Sequence, residues 1–392
     1  MFKNKTLIPL VFIMLINALS YGIIIPLLYP YAARFGLGPL GLSFLLASYS
    51  IAQFVATPVI GRLADRYGRR PLLVGSIFGT AISLAMLALA TNVWMLIVAR
   101  LLDGITGGNI SVAQAVIADT TKDKERAKAF GILGASFGFG FLFGPAIGGV
   151  LGGYNIALPF WFAAILGFIG TAATFFFLPE TLKNQKTSHE PLFRLKTLTH
   201  ALFDAQTGSL LAITFLTALG FNAWIVGFQT FTADSLHMSA QAIGILFSLA
   251  GLVSLFMQTA GIRILMKFVS SKKVLLLGSL SLTATTMALS FFTRSPLSFG
   301  ALLFIQNFMV APQSPVAAAI LSERTKAEDQ GGMLGINQSY MSLGQIIGPI
   351  IAGVVASRLN VSAIFLMSAL MFILASMVSR QLFKPVAHKA DL

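Results

Sequence analysis

Roughly twenty apolar residues in a row, separated by short polar breaks and repeated about twelve times, constrain this chain more than any other feature of its sequence. A helix of that length crosses a hydrocarbon core of about 30 Å, whereas a membrane barrel needs alternating segments of about ten residues, and none are visible. The runs fall at about 7–33, 40–60, 71–91, 94–118, 128–152, 157–178, 208–232, 240–262, 273–293, 296–321, 331–357 and 361–380. Composition agrees: 56% of the residues are hydrophobic, only 10% are charged, and the mean hydropathy is +0.84. Water cannot solvate such a surface. Lys3 and Lys5 ahead of the first run resemble a signal peptide, but the run is too long and lacks a small-residue cleavage site, so it reads as the first span.

The net charge of +14 would point to nucleic acid in a soluble protein. Here the basic residues sit at span ends. Alternating the loops from a cytoplasmic N-terminus leaves Arg34, Arg294 and Arg358 outside and Arg100 within a span, with every other Lys and Arg inside. That asymmetry orients a multi-pass protein of the cell (inner) membrane with both termini cytoplasmic. The expected partner is then the bilayer, with no nucleic acid. No cysteine is present, and His189, His200, His237 and His388 all fall in breaks or the tail, so neither a metal site nor a cofactor is expected.

The longest break, from Pro179 to Thr207, carries Lys183, Lys186, Glu190, Arg194 and Lys196 and divides six spans from six. The expected domains are 1–178, a cytoplasmic loop 179–207, and 208–392. Arg69-Arg70-Pro-Leu-Leu-Val-Gly75-Ser76 recurs as Lys272-Lys273-Val-Leu-Leu-Leu-Gly278-Ser279, and Gly144-Pro-Ala-Ile-Gly-Gly149 as Gly348-Pro-Ile-Ile-Ala-Gly353. Copies separated by six spans form a parallel repeat about an axis along the membrane normal. The fold class is thus an all-α polytopic membrane protein, with twelve transmembrane helices in two pseudo-symmetric six-helix bundles.

Four features point to function. The break after span two, Gly61-Arg-Leu-Ala-Asp65-Arg-Tyr-Gly68-Arg69-Arg70, reads as a tight turn permitted by its glycines, with Asp65 free to pair with arginines. Span five places Gly140, Gly144, Gly148 and Gly152 at four-residue spacing beside Pro145, and Gly344, Gly348 and Pro349 repeat this in span eleven. Such faces let backbones approach closely, and two copies facing the boundary between the halves suit a sliding or tilting surface. Arg100 and Asp103 lie three residues apart in span four, on a face that continues through Gly107, Ser111 and Gln114, at a depth where a charge costs about 3 kcal/mol. The pair is either a self-neutralising structural element or a proton site in which Asp103 binds the proton and Arg100 tunes it. Finally, polar side chains within the spans are candidate cavity residues: Asn17, Tyr21, Gln53, Gln114, Asn222, Trp224, Gln229, Gln258, Gln306, Asn307 and Asn337. Phe221, Trp224 and Phe228 have the helical spacing of a stacking wall.

The 61–70 string resembles the signature loop of the major facilitator superfamily. Leu19-x-x-Gly22-x-x-x-Pro26, Arg100-x-x-x-Gly104 and Gly144-Pro145 extend the resemblance over most of the chain. Arg100 to Gly149, with Ile117-Ala-Asp119-Thr-Thr121, is similar to the tetracycline-efflux branch of the drug:proton antiporters. Phe231-Thr-Ala-Asp234 and Gly344 through Gly353 are closer to multidrug exporters. The resemblance implies a gating network of Asp65, Arg69 and Asp119 with the start of span eleven, at Asn337 or Gln338; Gly61, Gly68 and Arg70 of the same string, and the bare, proline-kinked faces at Gly144, Pro145, Gly348 and Pro349, are the further gating candidates. It also marks a departure, because tetracycline exporters carry an acid in span one where this chain has Asn17.

Together these readings describe a secondary transporter rather than an enzyme, exporting a small amphipathic compound in exchange for protons. The absence of a Gly-x-x-x-x-Gly-Lys-[Ser/Thr] loop leaves ATP drive without support. The competing readings are transport of a polar metabolite, sugar or siderophore, including import, and, more remotely, a non-transporting membrane sensor.

Overall fold

The computed structural model describes residues 7–121, 123–182, 200–204, 206–326 and 330–383. Lys3, Lys5, the connection with Lys183, Lys186, His189, Glu190, Arg194 and Lys196, and His388 lie outside the described residues. Among those described, the chain is helical throughout and no strand occurs.

Twelve helical segments follow the apolar runs. They are α1 (Pro9–Ala33), α2 (Pro39–Tyr67), α3 (Arg69–Ala88), α4 (Val93–Thr120), α5 (Asp123–Tyr154) and α6 (Leu158–Phe177). Next come α7 (Gly208–Ser235), α8 (Ala240–Phe268), α9 (Lys272–Ser290), α10 in two pieces (Pro296–Val310 and Gln313–Glu323), α11 (Gln330–Arg358) and α12 (Ala363–Phe383). Ten meet the length and hydropathy of a membrane span by themselves. α5 contributes a shorter apolar stretch, Gly138–Tyr154, and α10 is divided by Ala311 and Pro312. Proline also interrupts α1, where Ile25–Leu27 forms a 3₁₀ turn at Pro26. Where the breaks are short, side-chain caps start the next helix. Asn92 accepts from Met95 N at 3.0 Å, and Ser271 accepts from Val274 N at 3.3 Å.

The chain packs as two compact units. Unit 1 comprises residues up to Leu192 together with Thr232–Gly251, and unit 2 comprises Phe193–Phe231 and Leu252 onward. In unit 1, α1 packs on α5 and α6, and α3 packs on α4 and α6. Unit 2 repeats that scheme, with α7 on α11 and α12, and α9 on α10 and α12. The sequence duplication is therefore a duplication of helix pairing.

The glycine stripes make the central pair of each unit. A Cβ at Gly140 would lie 2.4 Å from the Ala18 carbonyl carbon, and one at Gly144 would lie 2.8 Å from the Gly22 carbonyl carbon. In unit 2 a Cβ at Gly348 would meet Leu219 O at 2.4 Å. The stripes are seats for α1 and α7 within each unit, which corrects the expectation that they face the boundary between the halves. The reason is geometric. Lipid offers no hydrophobic drive between apolar helices, so the most enclosed helix is held by the closest backbone approach. A second small-residue crossing lies on another face of α5, where a Cβ at Gly244 of α8 would meet Pro145 O at 2.3 Å.

Substituting Gly144 with Ala is expected to destabilise the protein by about 1–3 kcal/mol, because backbone and not a flexible side chain blocks the added methyl. Gly75→Ala, with nothing within 4 Å of the new Cβ, should instead leave stability unchanged or raise it by up to about 1 kcal/mol. Thermal unfolding in detergent distinguishes the two.

Candidate functional site

Two polar assemblies stand out in unit 1. The first is at the basic end, where α2 meets α3. The 61–70 string was expected to be a loop turned by its glycines, but α2 stays helical through Tyr67 and the chain turns at Gly68 alone, with φ +111°. Gly61 sits inside the helix with open space around it. This follows from the residues between the glycines: Arg-Leu-Ala-Asp-Arg-Tyr has no breaker, so the helix continues to the first position that needs a positive φ.

At this turn Arg69 is almost enclosed. Its guanidinium contacts Asp65 at 2.7 Å and Asp119, at the end of α4, at 3.1 Å. The three residues implied by the family resemblance therefore do meet. A fourth group joins them that the sequence did not reveal. Glu180, just past α6, accepts from Arg69 N at 2.9 Å and Arg70 N at 3.1 Å, capping the first turn of α3. It also accepts from Thr181 N and Leu182 N at 2.8 and 2.9 Å. Partial burial pushes the carboxyl up, but these four backbone donors outweigh it and leave Glu180 below its ordinary range. Arg70 reinforces the tie by donating to Phe175 O and lying over the Phe175 ring, 5.1 Å from its centroid. The only signal in the sequence was an acid directly after an apolar run, which is also what any polar loop looks like.

The second assembly is inside the bundle. Arg100 and Asp103 are 3% and 5% exposed, and their NH1 and Oδ2 atoms are 2.7 Å apart. The guanidinium lies over the Tyr49 ring of α2, 4.3 Å from the centroid. On the other side, Thr80 and Ser83 of α3 lie near the Asp103 carboxylate. Gln53 donates to Tyr49 Oη at 2.9 Å and to Gly107 O at 3.1 Å. The bare edge of α4 permits this. A Cβ at Gly104 would stand 2.4 Å from Tyr49 O, so α2 and α4 touch through backbone one turn from the charges. Arg100 Nε is buried with no hydrogen-bond partner among the described residues. The face does not run on as expected through Gly107, Ser111 and Gln114. α4 breaks at Gly107–Gly108, Ser111 turns back to Gly108 O at 2.7 Å, and Gln114 is exposed.

The other candidates disperse. Asn17 is half-buried, Gln258 is exposed, and the Tyr21 side chain lies outside the described residues. In unit 2, Asn222 donates to Ala218 O of its own helix at 2.8 Å. Asn337 accepts from Thr214 at 2.7 Å, and Asn307 accepts from Ser254 at 3.2 Å. Trp224, Gln229 and Gln306 are buried. Phe221, Trp224 and Phe228 do stack, at 5.8 and 5.3 Å between centroids, and the column continues to Phe299, Phe231 and Phe365. Below it, neither amide atom of Gln306 has a partner among the described residues.

The sequence model of the Major Facilitator Superfamily matches this chain twice, over residues 10–261 and 210–390. The chain belongs to that superfamily. Among curated proteins it is 32% identical to the tetracycline resistance protein, class B, of Escherichia coli over 373 residues, 90% of this chain and 88% of that one. It is 28% identical to multidrug resistance protein 2 of Bacillus subtilis over 366 residues, 91% and 89% of the two chains. Among solved structures, a bacterial homologue of the human lysosomal transporter Spinster, in an inward-facing and unoccupied conformation, aligns with a TM-score of 0.79 at 15% identity. That alignment covers 98% of this chain and all of the other, and it shows the shared fold. The protein is thus a multi-pass membrane protein of a transporter family.

Because Glu180 is held in its ionised form, its contribution to stability is fully present above the ordinary carboxylate pKa of about 4.3 and is lost as pH falls through the lower, folded value. Melting temperature in detergent, followed from pH 7 down to about 3, should therefore fall less steeply in Glu180→Gln than in the parent protein, with the variant already less stable at pH 7.

Proposed function

We propose that this facilitator is a proton-coupled exporter of small amphipathic, drug-like compounds, working by alternating access as a monomer in the cell (inner) membrane, with both termini in the cytoplasm. The observation that carries the reading is the enclosed Arg100–Asp103 pair. A carboxylate within a membrane span is expensive and, as a rule, functional. Relatives named for tetracycline and multidrug resistance support the direction and the substrate class. The excess of Lys and Arg on alternate breaks supports the orientation.

In the ionised pair, Arg100 NH1 holds Asp103 Oδ2. A proton arriving at that oxygen removes the charge that Arg100 balances, and the Tyr49 ring then remains as partner for the guanidinium. The site can thus exist in two protonation states without leaving a buried cation unattended. The Asp65–Arg69–Asp119 cluster, clamped by Glu180, serves the conformational cycle instead, since it ties the ends of α2, α3 and α4 together. A second reading, transport of a polar uncharged metabolite, is favoured by Asn17 in place of an acid in α1 and by the unpaired amide of Gln306.

Proteoliposomes carrying an imposed pH gradient separate these readings. Accumulation of tetracycline driven by the pH gradient is expected in the parent protein and lost in Asp103→Asn, with downhill exchange retained, whereas Asp65→Asn should slow both. Stranding Arg100 costs up to about 3–5 kcal/mol, so the double variant Arg100→Gln/Asp103→Asn belongs in the experiment. It should recover stability without recovering coupling. Unchanged coupling in Asp103→Asn would return the pair to a structural role, and no gradient-driven accumulation of tetracycline or cationic dyes by the parent would remove the main support for export.

A further inference from the structure

The charged turn that opens α3 in unit 1 has a counterpart in unit 2, and the two copies differ in one respect. Lys272 and Lys273 open α9 as Arg69 and Arg70 open α3. Glu323, at the end of α10, pairs with Lys272 as Asp119, near the end of α4, pairs with Arg69. The last turn of α12 packs on α9, as α6 packs on α3. Both cations and one carboxylate have thus been kept.

The other two carboxylates are missing. At the spacing that relates Arg69 to Lys272, Asp65 corresponds to Phe268. Glu180 follows the buried Leu178 at the end of α6, whereas the buried Leu382 at the end of α12 is followed by Phe383-Lys384-Pro385, with no acid before Asp391. In unit 1 the Glu180 carboxylate accepts from the backbone N–H groups of Arg69 and Arg70. In unit 2 Ser271 takes the N–H of Val274, and those of Lys272 and Lys273 meet no acceptor among the described residues.

The space where such an acceptor would sit is a cavity. It has a volume of about 380 Å³ and is lined by Ser271, Lys272, Lys273, Ile320, Glu323 and Phe383, all of unit 2. Lys273 is half-buried on its wall, with no ionic or hydrogen-bonded partner among the described residues. Arg324 lies beside it, donating to Leu382 O at 3.2 Å. Glu323 does not close the site to anions, because Lys272 holds it, just as Asp119 stands beside Glu180 around Arg69 in the first copy.

We propose that this cavity is a binding site for an anionic phosphate group, supplied by a lipid headgroup or as the free ion, which takes the place that Glu180 takes in unit 1. The warrant is the duplication itself: in one copy the corresponding backbone donors already hold an anion, and in the other they open on a cavity with cations in excess. Ammonium groups bind phosphate as point charges, and backbone N–H groups at a helix start add to them. Basic pockets at this level of a membrane protein lie among lipid phosphates. The buried Ile320 and the exposed Phe383 give the cavity an apolar side, which suits a lipid. A bound phosphate then fastens the end of α12 to the start of α9 from outside the chain, as Glu180 fastens α6 to α3 from within it. Neither proton coupling nor the direction of transport enters.

Full-length protein is melted in a neutral detergent at fixed pH and ionic strength, with dioleoylphosphatidylglycerol, dioleoylphosphatidylcholine or inorganic phosphate added. Phosphatidylglycerol, inorganic phosphate or both should raise the melting temperature by about 2 °C or more beyond phosphatidylcholine. A gain from the lipid alone assigns the site to a headgroup, and a gain from inorganic phosphate shows that the free ion suffices. Lys273→Gln, which spares the Lys272–Glu323 pair, should lose most of the gain. Phe383→Glu, which brings a carboxylate to the cavity, should lose it too and, without any phosphate, melt above Phe383→Gln. The control Arg263→Gln/Lys326→Gln, which removes two exposed cations elsewhere in unit 2, should keep the gain. No gain in the parent protein, or a gain of full size in either Lys273→Gln or Phe383→Glu, overturns the proposal.

Discussion

Inside a bilayer, apolar side chains gain nothing by leaving lipid for one another, so helices must be held by close backbone contact and by polar groups that cannot be left alone. Both devices are visible in this chain, and each has a separate task. Glycine provides the contact, with Gly140 and Gly144 receiving α1 and Gly344 and Gly348 receiving α7. Charge provides the discrimination. Arg100 and Asp103 can be enclosed only together, and that obligation holds α2 against α4 through Tyr49, with Thr80 and Ser83 of α3 near the carboxylate.

The two units share the first device and differ in the second. Each has a central helix in a small-residue seat, and the pairing of helices repeats. Among the described residues, an enclosed ion pair within a span occurs in unit 1 alone. Unit 2 holds an aromatic column from Trp224 to Phe365 and an amide, Gln306, without a partner among the described residues. A duplicated scaffold with unlike interiors suits a division of labour in which one copy handles the proton and the other supplies apolar and neutral polar surface to a substrate. The same asymmetry accounts for the neutral Asn17 in α1: with the charged site on α4, an acid in the central helix is not needed for a carboxylate to be present in unit 1.

The sequence made the spans, the duplication and the Arg100–Asp103 pair legible because each is local. Hydropathy is read over a single run, the repeat over two short strings, and the ion pair over one helical turn. Asp65, Arg69 and Asp119 could be joined only through family resemblance, since nothing in their spacing links α2 to the end of α4. Glu180 and the Tyr29–Asp234 hydrogen bond could not be found that way. Their partners lie 111 and 205 residues apart, and each looks alone like ordinary loop chemistry. The glycine stripe was plain, but what it faces was not, because a bare helix face is equally suited to a static seat and to a sliding one. The helical state of the 61–67 segment was obscured by weighting Gly61 and Gly68 equally, when only Gly68 has a backbone conformation that demands glycine.

The central claim is that Asp103 exchanges a proton as the transporter works. The most direct measurement is proton release or uptake by purified protein in weakly buffered detergent solution on addition of tetracycline, followed with an indicator dye. The account predicts a stoichiometric proton signal that is present in the parent protein and in Asp65→Asn and absent in Arg100→Gln/Asp103→Asn. A signal of full size in that double variant, with tetracycline still bound, would contradict it.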